Sequence, residues 1–164
     1  MGERSPRQQL IRILQAAYSG ELAAAHAYRG HWKSLKNPFE QESIQRIEHE
    51  EWTHREKVGR ILHDLQSGPL AMRELRMLVT GRVIGILCHL IGWFLPMYFA
   101  GRLESRNVCE YESAAFQARK LGLAECESEL RLMAAVEKEH EVFFMKAIAA
   151  HRLLPLMRKL FRWG

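Results

Sequence analysis

Two Glu-x-x-His pairs, Glu51-Trp-Thr-His54 and Glu137-Lys-Glu-His140, constrain this chain more than any other feature. On a helix, positions i and i+3 share a face, so a carboxylate and an imidazole so spaced can grip one metal ion together. Both pairs fall on apolar faces. Glu51 lines up with Ile44, Ile47, Val58 and Leu62, and Glu137 with Leu130, Met133, Phe144 and Ile148. A charge on a core-facing stripe is costly unless it is paired or metal-bound. One such pair in a helical protein means little; two, each facing inward, ask for a shared purpose.

The rest of the chain supplies helices to carry them. Apolar residues recur at three- and four-residue spacing, through Leu10, Leu14, Ala17, Ala24 and Tyr28 and through Ile44, Ile47, Val58 and Leu62. Strand alternation and hairpin turns of the Asn-Gly kind are missing. Punctuation at Asn37-Pro38, Ser67-Gly68-Pro69, Gly92 to Pro96, Gly122 and Pro155 predicts long helices at roughly 6–35, 40–66, 97–121 and 124–151. Shorter helices are expected between the second and third. The 164 residues suit one all-α domain, a four-helix bundle over 1–152, followed by a basic amphipathic tail at 153–164.

A carboxylate-rich di-metal site in such a bundle also needs one glutamate from each of the other two helices. Glu21 is the only acid between Glu3 and Glu40, and it sits among Leu14, Ala17, Ala24 and Tyr28. The third helix offers Glu104, Glu110 and Glu112. Glu104 shares its face with Met97, Ala100, Tyr111 and Ala115, whereas Glu110 lies with Arg106, Asn107 and Gln117. Internal symmetry also favours Glu104. Glu21 is followed seven residues later by Tyr28, and Glu104 seven later by Tyr111; each precedes its Glu-x-x-His by 30 or 33 residues. Glu112 is the alternative. The expected ligands are therefore Glu21, Glu51, His54, Glu104, Glu137 and His140. Oxygen and imidazole donors without thiolate suit two iron ions, or manganese, and oxidation chemistry. Of the other histidines, His26 and His31 are read as polar-face residues, and His89 as bonded to a backbone carbonyl.

Two segments point to a membrane. Residues 83–100 hold no Asp, Glu, Lys or Arg over 18 positions, which only just suffices to span a bilayer. Gly85, Gly92 and Pro96 interrupt them, so an interfacial segment within 77–100 is preferred to a span, with a buried core connection as the alternative. The tail sets Arg152, Arg158, Lys159 and Arg162 among leucines, Phe161 and Trp163, the composition of an anionic-membrane anchor or of a last turn packed on the bundle. Net charge is +5, but basic residues interleaved with bulky aliphatics do not suit nucleic acid. Three cysteines without a CxxC exclude a disulfide framework and a rubredoxin-type site, and a charged N-terminus carries no signal-peptide pattern. A peripheral protein on the cytoplasmic face of a membrane is expected.

The segment 19–30, SGELAAAHAYRG, resembles the first-ligand motif of the demethoxyubiquinone hydroxylases, the ferritin-like di-iron monooxygenases of ubiquinone biosynthesis. Leu90-Ile-Gly92, twelve residues ahead of Glu104, is similar to that family's run before its third-helix glutamate, and Tyr111 falls at a matching tyrosine. The resemblance spans roughly 10 to 150. It implies hydroxylation of a polyprenyl benzoquinol, with dioxygen, an external electron donor and a membrane surface as partners. It implies further that Tyr28 and Tyr111 act beside the metal ligands or line the pocket, and that Glu51 and Glu137 bridge the two irons. The family usually has a histidine just before the second tyrosine; here that residue is Glu110. A ferritin- or rubrerythrin-like iron oxidase or peroxide scavenger, and a helical membrane-surface scaffold, are the alternatives. A homo-oligomer is left open.

Overall fold

The computed structural model describes residues 5–164, and among them there are six helices and no strand. Helix α1 (Pro6–Ser34) starts at a capping box in which Ser5 and Gln8 satisfy each other's backbone N–H groups, with Pro6 just inside. Helix α2 (Pro38–Asp64) is capped by Asn37, whose side chain accepts from the Phe39 N–H at 3.0 Å. Helices α4 (Phe94–Lys120) and α5 (Ala124–Ile148) are joined by a turn that needs Gly122 at φ +71. The four long helices form a bundle of two hairpins, α1–α2 and α4–α5, with α1 against α4 and α2 against α5.

The apolar core comes in two halves. One gathers Leu10, Leu14, Val58, Leu62, Tyr111, Leu130 and Met133. The other gathers Tyr28, Ile44, Ile47, Met97, Tyr98, Phe144 and Ile148. Along each long helix the expected ligands fall between a residue of one half and a residue of the other: Glu21 between Ala17 and Ala24, Glu51 and His54 between Ile47 and Val58, Glu104 between Ala100 and Tyr111, Glu137 between Ala134 and Phe144. The polar cluster is thus set at mid-bundle, with apolar packing above and below it.

The connection between α2 and α4 differs from the expected run of shorter helices. It is one helix, α3 (Ala71–Leu87), followed by a turn that reverses at Gly92 with φ +80. The charge-free stretch is therefore split between the end of α3, the turn and the start of α4, where Pro96 needs no N–H partner. Among the described residues no helix is long and apolar enough to cross a membrane. Helix α3 lies on α1 through glycines. A Cβ at Gly30 would overlap the Gly85 backbone, and one at Gly81 would overlap the backbone of Ala23. Its remaining faces keep Met72, Leu75, Val79, Val83 and Ile86 exposed.

The tail forms a short helix, α6 (Leu154–Phe161), docked on the bundle. The Tyr98 hydroxyl lies 3.0 and 2.9 Å from the Met157 and Trp163 carbonyls, and Trp163 Nε1 donates to Glu141 at 2.9 Å. Leu156, Leu160 and Phe161 stay exposed beside the basic side chains.

Candidate metal centre

Glu21, Glu51, His54, Glu104, Glu137 and His140 are all buried, none more than 3% exposed. They meet as two four-residue sets. One donor atom each from Glu21, Glu51, His54 and Glu137 lie within 4.8 Å of one another, and so do those from Glu51, Glu104, Glu137 and His140. Glu51 and Glu137 belong to both sets. The histidines and the lone glutamates divide between the sets, His54 going with Glu21 of α1 and His140 with Glu104 of α4. Glu112, the alternative on α4, is exposed.

The two tyrosines tie the hairpins together reciprocally. Tyr28 of α1 donates its hydroxyl to Glu104 of α4, and Tyr111 of α4 donates to Glu21 of α1. Both phenols are buried. Burial, with the charges of Glu21 and Glu137, pushes the Tyr111 hydroxyl well above its usual range, so it remains a donor.

Electrostatics show what the cluster lacks. Burial raises the carboxyls of Glu21, Glu51 and Glu104, and neighbouring carboxylates add to the rise. Burial pushes Glu137 the same way, but protons offered by Glu104, His140 and His54 outweigh it and hold that carboxyl low. Burial lowers His140, yet hydrogen bonds with Glu137 and Glu50 prevail and raise it to about 9. Four buried atoms in the cluster have no hydrogen-bond partner among the described residues: Glu21 Oε2, both Glu51 oxygens and His140 Nδ1. Orphans of this kind cost about 1–3 kcal/mol each. All four are atoms able to donate to a metal, so the cluster is one that could hold metal ions, whose charge would offset that of the buried carboxylates.

Two supporting residues gave no sequence signal. His140 Nε2 lies 2.7 Å from Glu50 Oε2, which directs Nδ1 toward Glu51 and Glu137 at 3.7 and 3.8 Å. Asn107, read from sequence as lying with Glu110, instead donates to Glu104 at 3.1 Å and Glu137 at 3.3 Å. Two readings need correction. His31 is not on a polar face: α3 and α4 join α2 around α1, and His31 is 2% exposed. His89 is exposed in the turn after α3. His26 is half-buried and meets Trp52 edge-on at 5.6 Å.

Beside the cluster, α1, α3 and α4 enclose a cavity of about 480 Å³. Its wall is almost wholly apolar, with Ala23, Ala27, Ile84, Leu87, Leu95 and Phe99, and it includes Tyr28 and His31.

The model of the family described as ubiquinone biosynthesis protein COQ7 matches residues 8–113. The chain belongs to the COQ7 family. The match covers the helices that carry Glu21, Glu51, His54, Glu104, Tyr28 and Tyr111, and ends before α5. In this COQ7-family chain the fold brings Glu137 and His140 of the second Glu-x-x-His, which lie beyond the matched residues, to Glu51 and Glu104. Comparison with curated proteins and with solved structures yields no match.

Proposed function

We propose that this COQ7-family protein is a membrane-associated di-iron monooxygenase that hydroxylates a polyprenyl benzoquinol. The observation that carries this reading is the apolar cavity that reaches Tyr28, whose hydroxyl bonds Glu104 of the cluster. A lipidic ring lying there is one side chain away from the carboxylates. An iron oxidase or peroxide scavenger has no use for an apolar cavity of this size, whose dimensions suit an organic ligand.

Glu21 and His54 would hold one iron and Glu104 and His140 the other, with Glu51 and Glu137 shared between them. Bound there, the iron pair supplies the activation of dioxygen that inserts oxygen into an aromatic C–H bond. The conversion takes one ring C–H, one dioxygen, two electrons and two protons to a ring C–OH and one water, so an external electron donor is required. The apolar walls exclude water and position the ring, while Tyr28 and Tyr111 hold two of the ligating carboxylates in place by hydrogen bonds.

The substrate's prenyl tail would place the enzyme on a bilayer. The outward apolar residues of α3 form a patch of the kind that marks a membrane contact, and α6 adds Arg158 and Lys159 beside exposed Leu156 and Leu160. Phe161 meets Phe99 of the cavity wall at 5.1 Å, so α6 lies near the cavity. Peripheral binding on the cytoplasmic face fits the three free cysteines.

The test is turnover of a short-tailed demethoxybenzoquinol by the iron-loaded protein with a chemical reductant under ¹⁸O₂. One labelled oxygen on the product ring supports the reading; no product, or unlabelled product, overturns it.

A further inference from the structure

The cavity wall contains few polar side chains, and all but one have settled partners or none to seek. The Tyr28 hydroxyl is committed to Glu104, and Thr80 Oγ1 donates to the Arg76 carbonyl at 2.9 Å. His31 is the exception. Its ring lies nearly parallel to that of Phe144, with centroids 6.3 Å apart, which holds the imidazole plane. Its Nε2 is buried with no hydrogen-bond partner among the described residues. Burial lowers its pKa to about 4, so the ring is neutral near pH 7. An unpaired imidazole nitrogen in an apolar wall destabilises the protein, and an aliphatic side chain would pack there more favourably. His31 is also part of the cavity wall, so a partner that arrives there can reach its ring.

His31 also stands in the right place. It follows Tyr28 by three residues on α1, one turn along the same face and about 4.5 Å farther along the axis. A ring seated against Tyr28 would have its substituents within reach of His31. A neutral imidazole can donate an N–H to a quinone carbonyl or accept the O–H of a quinol.

We propose that His31 is a specificity-determining residue of the cavity, hydrogen-bonding an oxygen substituent of the bound ring and so preferring oxygenated rings to plain prenyl or acyl chains. This rests on the reading that the cavity takes such a ring. Selection of this kind is effective because a ligand without the oxygen leaves the nitrogen unpaired.

Binding to the metal-free protein separates the two readings without turnover. Isothermal titration calorimetry would follow binding of a short-tailed methoxybenzoquinone and of the same tail on unsubstituted benzene. The proteins would be the wild type, His31→Leu, His31→Met and His31→Gln. Quinone affinity should fall about tenfold in the Leu and Met variants, which is 1.4 kcal/mol, and stay within about threefold in Gln. The oxygen-free analogue should bind all four proteins alike, and His31→Leu should melt no lower than wild type. A folded Leu or Met variant that keeps wild-type quinone affinity, or that loses both ligands equally, overturns the role of His31 and leaves the cavity reading intact. A wild type that binds neither ligand overturns both.

Discussion

His140 and Glu50 are joined across the α2–α5 interface, with Nε2 and Oε2 2.7 Å apart. The bond decides which imidazole nitrogen faces the cluster. With Nε2–H held on Glu50, the Nδ1 lone pair is free for a metal once its proton leaves. Glu50→Ala should therefore weaken metal binding about 10- to 100-fold while leaving the helices intact. Glu50→Gln, whose amide oxygen still accepts, should recover part of the loss. Metal titration with circular dichroism on both variants checks this, and unchanged affinity in Glu50→Ala would remove Glu50 from the site.

The raised acids and His140 set a pH dependence with a definite sign. Glu21, Glu51 and Glu104 have folded pKa values above 4.5, so their contribution to stability is full below that pH and lost as pH rises through the folded values. His140 acts in the same direction, losing its contribution as pH climbs from 6.5 through about 9. Buried His31, with its pKa lowered to about 4, acts the other way but only below 6.5, so the metal-free protein should lose stability between pH 6.5 and pH 9. Metal takes the place of the protons, so the rise in Tm on loading should grow over that range. Calorimetry with and without metal measures it; parallel curves would contradict it.

The two tyrosines divide by position although the sequence treats them alike. Tyr28 lines the cavity as well as bonding Glu104, whereas Tyr111 bonds Glu21 away from the cavity, against His54 at 5.8 Å between ring centroids. Each Tyr→Phe change removes a donor from a buried carboxylate, worth about 1–3 kcal/mol of carboxylate stabilisation. Both variants should bind metal more weakly. Only Tyr28→Phe should raise KM for the quinol. A KM effect confined to Tyr111→Phe would reverse the assignment.

Residues that face the core announced themselves in the sequence. Glu21, Glu51, Glu104 and Glu137 were legible because a carboxylate on an apolar stripe breaks the helical pattern, and the Glu-to-Tyr spacing separated Glu104 from Glu112. Glu50 was not, since it neighbours Glu51 but lies about 100° round the helix, where an acid usually meets water. Its partner is 90 residues away on another helix. Asn107 and His31 were hidden for the same reason: each looked outward on its own helix until a second helix covered that face. The single helix α3 was obscured because its packing rests on Gly81 and Gly85, which periodicity does not reveal.

The most direct measurement is metal content per chain of purified protein, compared with a Glu51→Ala, Glu137→Ala double variant that removes both shared carboxylates. Two irons per wild-type chain and none in a folded variant is the expected result. Wild-type protein that binds no metal on reconstitution, or a variant that binds as much as wild type, would contradict the assignment of the cluster as a di-iron centre.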